Sequence, residues 1–145
     1  MRKERLLYER FKPAAQIKHF VERVENSAAE GMPDVQLTCR ETGVLRMIEL
    51  KRILALPKRP TTRVFGDLNG LRPMQVAWLH CRAVVGAPVF ILAQADDLIV
   101  LLHGGHARTF NQQTRSQLTS NARFSHTGDM SPALWGALLQ ALGAQ

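Results

Sequence analysis

The sequence predicts an α/β fold, a mixed β-sheet of about five strands flanked by helices. Three observations predict it. Two short apolar runs, Val35 to Cys39 and Val44 to Leu50, flank a polar turn at Glu41-Thr42-Gly43, which is a hairpin pattern. Pro73 opens a stretch of helical periodicity that ends at Gly86. Beyond it lie two continuously apolar runs, Val89 to Ala93 and Leu98 to Leu102, of the kind that form buried strands.

Taken in order, residues 2 to 12 read as a helix with Leu7, Tyr8 and Phe11 on one stripe, and Pro13 interrupts or restarts it. The next stretch is ambiguous, because Ile17, Phe20, Val21 and Val24 sit at helical spacing in a segment short enough to be a strand. Residues 26 to 31 form a loop into the hairpin. After it, Arg52 to Asn69 reads as a long connector without regular structure, a length that is usually functional or mobile. In the helix that follows, Met74, Ala77, Trp78, Cys81, Val84 and Val85 are the expected buried stripe, with polar Gln75 beside it. A turn at Ala95-Asp96-Asp97 joins the two later strands. Residues 105 to 130 are rich in Gln, Ser, Thr and Asn and read as loop. A final helix over 131 to 143 has Ser131 as its cap, Pro132 in its first turn, and Leu134, Trp135, Leu138, Leu139 and Leu142 on one face.

At 145 residues the chain has room for one domain, and 46% apolar with 21% charged residues is the composition of a folded globular protein. No apolar run reaches membrane-spanning length and Met1 to Arg5 lead into no apolar signal region, so an intracellular, cytoplasmic protein is expected. Cys39 and Cys81 read as reduced core thiols. The net charge of +7 suits a polyanionic partner. Lys51, Arg52, Lys58, Arg59 and Arg63 fall within thirteen residues, so the charge is concentrated in the connector.

The hairpin also places charged groups. A turn centred on residues 41 to 43 sets Asp34 opposite one of residues 48 to 51. Side chains alternate along a strand, so Glu49 and Lys51 share a face and Leu50 points to the other side, into the core. Asp34 can then lie beside Glu49 and Lys51. Two adjacent carboxylates repel unless a proton or cation lies between them. Mg²⁺ is held by one or two carboxylates, with water and substrate phosphate completing its shell.

Gly31-x-Pro33-Asp34, the hairpin turn and Glu49-x-Lys51 together resemble the core of the PD-(D/E)XK nuclease superfamily. Within it the chain is most similar to small VRR-NUC and Holliday-junction-resolvase-like nucleases, many of them from phages. Arg23-Val24-Glu25-Asn26 precedes the Gly-x-Pro-Asp at the matching place. Leu71 to Leu79, with Pro73 and Gln75, resembles the family's helix, and Pro88 to Leu92 its next strand. The similarity covers roughly residues 5 to 104.

The resemblance implies a restriction-endonuclease-like core and favours a strand over His19 to Val24. It implies Mg²⁺ or Mn²⁺ held by Asp34, Glu49 and the Leu50 carbonyl, with Lys51 orienting water or offsetting charge on the transition state. Glu25 is the first candidate for a third carboxylate and Glu9, on the first helix, the second. Gln75 matches the family's helical Gln and is a further candidate at the site. Arg52, Lys58, Arg59, Arg63 and Arg72 are the expected phosphate contacts, with the connector as a DNA-contacting flap. The implied activity is endonucleolytic cleavage of branched DNA, such as a Holliday junction, by a homodimer, leaving a 5′-phosphate and a 3′-hydroxyl. A phage-infected bacterium is one setting that fits. The rival reading is a non-catalytic nucleic-acid-binding module on the same fold. A zinc site at His103-Gly104-Gly105-His106 is a poor alternative, since no second motif pairs with it.

Overall fold

A computed structural model of the protein describes residues 2–24 and 30–143. It contains one six-stranded sheet in the order β1 (His19–Arg23), β2 (Val35–Cys39), β3 (Leu45–Ile53), β4 (Val89–Ala95), β5 (Leu98–His103) and β6 (Phe124–Thr127). Neighbouring strands run antiparallel except β3 and β4, which are parallel. The sheet is therefore mixed, as expected, with one strand more than the five the sequence suggests.

Among the described residues five α-helices flank it: α1 (Arg2–Ala15), α2 (Gly66–Asn69), α3 (Pro73–Val84), α4 (Arg115–Asn121) and α5 (Pro132–Leu142). Alternation along the strands builds two apolar cores. On one face Ile48, Leu50, Phe90 and Leu92 pack with Leu7 and Phe11 of α1 and Trp135 and Leu138 of α5. On the other, Met47, Ile53, Ile91 and Ala93 pack with Leu79 of α3, Phe110 and Leu118. Both faces of the sheet are covered, which is why β4 and β5 read as unbroken apolar runs. None of the helices among the described residues is long and apolar enough to cross a membrane.

Several expectations are corrected. Pro13 does not interrupt α1, which runs on to Ala15. Proline there removes one intrahelical donor close to the helix end, and the buried Leu7, Tyr8, Phe11 and Ala15 hold the helix in place. The strand favoured over His19 to Val24, rather than a helix, is borne out as β1, paired with β2 from His19↔Cys39 to Arg23↔Val35. Strand β3 extends past Leu50 to Ile53 because β4 pairs with it along that whole length.

The buried face of α3 is not the expected stripe. Gln75 and Leu79 are buried, whereas Met74, Val84 and Val85 are exposed large apolar side chains and Cys81 is exposed. Cys81 is exposed and Cys39 partly buried, so neither is the core residue expected. The helix is turned so that the polar residue Gln75 faces the sheet.

The connector is anchored rather than structureless. Val64 and Phe65 are buried in the core, and the Phe65 ring packs on Phe110 with centroids 4.8 Å apart. The Val64 N–H donates to the Gln113 carbonyl at 3.1 Å, and Arg63 forms a bridge with Thr114. Asn111 fixes the entry to α3: its Oδ1 accepts from the Leu71 N–H at 2.7 Å and its Nδ2 donates to the Leu71 carbonyl at 2.8 Å.

The segment read as loop after residue 105 holds two 3₁₀ turns, Gly104–His106 and Phe110–Gln112, then α4 and β6. These elements are short and bury few side chains; Leu118 is the buried residue of α4. Their apolar periodicity is accordingly faint. A capping box, Thr114 with Gln117, was the local signal available for α4.

Candidate active site at the end of the hairpin

Strands β2 and β3 pair with positions that sum to a constant, Val35 with Ile48 and Gln36 with Met47. Continued one residue outward, that register sets Asp34 opposite Glu49. The Cys39 N–H donates to the Val44 carbonyl at 2.9 Å, so even-numbered residues of β3 direct their backbone toward β2. Asp34 and Glu49 are therefore a non-hydrogen-bonded pair, the type whose side chains approach most closely.

The same parity exposes a role for Pro33. The next hydrogen-bonded position would match residue 33 with Leu50. Proline has no N–H to donate, so the ladder donor that the Leu50 carbonyl would receive there does not exist. The strand edge thus presents two carboxyl groups and a backbone carbonyl close together.

Glu49 lies almost wholly out of solvent, 1% exposed, and Lys51, on the same face two residues on, is also buried. Gln75 explains the rotation of α3. Its Nε2 donates to Glu49 Oε2 at 3.2 Å, and its Oε1 accepts from the Arg72 N–H at 2.9 Å. The amide is held at both ends, which fixes its orientation. Glu49 Oε1 is buried with no hydrogen-bond partner among the described residues. Burial, and then the Asp34 carboxylate beside it, push the Glu49 carboxyl up to about 9, against the opposing pull of Lys51 and Arg72. At neutral pH and without a cation, Glu49 keeps its proton.

Gly31 ties the two halves of the site together. Its φ is +86°, and a Cβ there would collide with the Met74 carbonyl in the first turn of α3. The Gly-x-Pro-Asp loop and the Gln75 helix meet at that contact. Gly31→Ala is expected to cost at least about 2 kcal/mol, combining positive-φ strain with the clash. A urea-denaturation midpoint checks this, and an unchanged midpoint would show that α3 does not need the close approach.

The structure brings together Asp34, Glu49, the Leu50 backbone, Lys51, Gln75 and Arg72. Other expected residues lie elsewhere. Arg52 alternates to the face opposite Lys51, with Nε and Nη1 buried and unpartnered among the described residues. Lys58, Arg59 and Arg63 are exposed on the connector. Glu9 is on α1, across the sheet from Glu49, and pairs with Arg5 at 3.0 Å, so it does not complete the acid cluster. Glu25 lies outside the described residues; the strand leading to it reaches Asp34, whose carbonyl accepts from the Val24 N–H at 2.7 Å. Among the described residues there is no group of three or more His, Cys, Asp or Glu able to hold a metal ion, which also covers His103 and His106. Sequence reasoning missed Gly31 as the contact with α3, Pro33 as the residue that has no N–H for the Leu50 carbonyl, and Asn111. The first two lie inside the motif and were legible from glycine and proline chemistry; an isolated Asn forty residues downstream carries no local signal.

The donor set fits a hard divalent cation: two carboxylates, one with an orphaned buried oxygen, and the Leu50 carbonyl, to which Pro33 cannot donate, all oxygen ligands. No protein-family model and no curated protein match this chain. A solved structure described as a VRR_NUC domain is similar over 61% of this chain and 76% of its own, with 21% identity and a TM-score of 0.38.

Proposed function

We propose that the protein is a Mg²⁺- or Mn²⁺-dependent endonuclease that hydrolyses phosphodiester bonds in DNA, selectively at branched sites such as four-way junctions. The observation that carries this reading is the buried Glu49 carboxyl, set opposite Asp34 with one oxygen unpartnered and Lys51 on the same face. A carboxyl desolvated and pushed up to about 9 costs stability, and such a cost is characteristic of a site kept for chemistry.

Asp34, Glu49 and the Leu50 carbonyl would hold the cation. The bound cation supplies Lewis-acid charge at the phosphoryl oxygen and makes water a usable nucleophile near neutral pH. Lys51 orients that water or offsets negative charge that develops on the phosphoryl oxygens. Gln75 keeps Glu49 in its rotamer through the bond to Oε2, and is a positioning residue. Arg72, at the start of α3, and Lys58, Arg59 and Arg63 on the connector supply phosphate contacts on the approach. A homodimer would present two such sites to the two strands of a junction.

Gln75→Leu tests the positioning role. Near-equal volume is kept while the Glu49 and Arg72 partners are lost. It is expected to lower kcat about tenfold and to cost about 1–3 kcal/mol of stability. A kcat equal to wild type would remove Gln75 from the site. The function itself is tested by nicking of supercoiled plasmid and cleavage of a labelled four-way junction. Activity that requires Mg²⁺ or Mn²⁺ and is lost on chelation supports the reading; tight DNA binding with no cleavage of any substrate would favour a binding module.

A further inference from the structure

A second polar site lies at the far end of the connector, on the same face of the sheet as Glu49. Odd-numbered residues of β3 point to that face, and Phe110 and Leu118 pack there with Met47 and Ile53. The 3₁₀ turn Phe110–Gln112 and α4 therefore cover the sheet on the Glu49 side. The connector leaves β3 just beyond Lys51 and is fastened to these elements at its other end. There the Val64 N–H donates to the Gln113 carbonyl, and Arg63 bridges to Thr114. Beside that fastening is a cavity of about 350 Å³ lined by Thr109, Gln112, Gln113, Gln117 and Asn121, whose side chains are hydroxyl and amide groups.

Two of these amides are held in one orientation. Gln117 Oε1 accepts the Thr114 N–H at 2.9 Å, which leaves its Nε2 as a donor. Gln113 Nε2 donates to Thr109 Oγ1 at 2.9 Å, which leaves its Oε1 as an acceptor. Gln113 is 4% exposed while the other four lining residues are exposed, so Gln113 forms the floor. Its Oε1 has no hydrogen-bond partner among the described residues, a costly state for a buried acceptor. The cavity thus offers a fixed donor and a fixed acceptor. A phosphate, which only accepts, leaves the Gln113 oxygen unmatched. Among the base edges that face the major groove, adenine alone presents a donor, N6–H, beside an acceptor, N7. An amide N–H and an amide carbonyl are its complement. We propose that this cavity reads an adenine edge in the DNA, with Gln117 donating to N7 and the Gln113 carbonyl accepting from N6. Lys58, Arg59 and Arg63 on the connector hold the neighbouring phosphates. The proposal rests on DNA as the substrate of the Glu49 site and adds a sequence preference to it.

The test is selection by the full chain, in chelator, of four-way junctions with randomised arms, followed by sequencing of the bound molecules. Adenine should be enriched about tenfold at one or two positions a fixed distance from the branch. Replacing that adenine by 7-deazaadenine removes N7 and should weaken wild-type binding by about tenfold. Gln117→Ala should weaken binding to the adenine junction by as much, and the 7-deaza base should then cause no further loss. Arg63→Ala should weaken binding to every sequence alike. If Gln117→Ala does not fold, the wild-type selection and the 7-deaza comparison decide alone. Equal frequencies of the four bases at every position of the bound pool overturn the proposal, and so does a 7-deaza loss that persists undiminished in Gln117→Ala. Adenine enrichment in a protein that cleaves no DNA supports the proposal and removes the nuclease reading. Absence of binding to any DNA overturns both.

Discussion

Glu49→Gln is expected to make the cation-free protein more stable at pH 8 by a few kcal/mol, while leaving its stability at pH 4 nearly unchanged. The sign follows from proton binding. The Glu49 carboxyl titrates at about 9 in the folded chain against an ordinary value of 4.5. Below pH 4.5 both folded and unfolded states hold the proton and the site contributes no pH dependence. Between pH 4.5 and 9 the unfolded chain has released a proton that the folded chain retains, so stability falls as pH rises. Each pH unit in that window costs up to about 1.4 kcal/mol, lessened where the site relaxes or admits water. Glutamine removes this cost and still accepts the Gln75 hydrogen bond through its own carbonyl. Thermal melts at pH 4 and pH 8 with chelator check it. A Gln variant less stable than wild type at pH 8 would mean that Glu49 is ionised and well paired in the free protein. Mg²⁺ should reverse the order: it must displace the Glu49 proton, so it stabilises wild type increasingly as pH rises, and does so weakly for the variant.

Asp34→Asn is expected to lower cleavage by a thousandfold or so, equivalent to about 4 kcal/mol of transition-state stabilisation, with DNA affinity equal to wild type or slightly tighter. The change is isosteric and sits at the end of β2, so the hairpin register should survive it. Removing a negative charge beside the phosphate path lowers repulsion, which accounts for the direction of the binding change. The Asp34→Asn carboxamide also removes the charge that helps to push Glu49 upward. The variant should therefore bring the Glu49 titration down, a second readout that does not depend on activity. Single-turnover cleavage with saturating Mg²⁺, paired with a filter-binding or anisotropy titration in Ca²⁺, separates the two effects.

What could be read from the sequence follows from how each signal is encoded. The hairpin register was legible because a turn position fixes which residues face each other, and strand alternation then puts Glu49 and Lys51 on one side. Residues 17 to 24 were ambiguous because β1 is an edge strand: Val21 packs toward the core while Phe20 is exposed beneath the Arg40 guanidinium, at 4.3 Å, so its apolar residues mimic helical spacing. The face of α3 was misread because a buried glutamine occupies a position that periodicity assigns to apolar side chains. Gln75 is buried by its bonds to Glu49 and Arg72, a tertiary fact invisible in the helix itself. The connector hid two core residues, Val64 and Phe65, inside a basic, proline-containing stretch. The final third was the least legible, since α4 and β6 are held by caps and edge pairing more than by apolar pattern.

Under the proposed function, Asp34 and Glu49 hold the cation on which DNA cleavage depends. The most direct measurement is cleavage of end-labelled four-way junction and linear duplex by wild type and Asp34→Asn across a Mg²⁺ titration. Wild type should cut the junction in proportion to bound Mg²⁺ and the linear duplex much more slowly, while Asp34→Asn binds the junction and leaves it intact. Cleavage by Asp34→Asn at the wild-type rate, or wild-type cleavage that persists in chelator, would contradict the account.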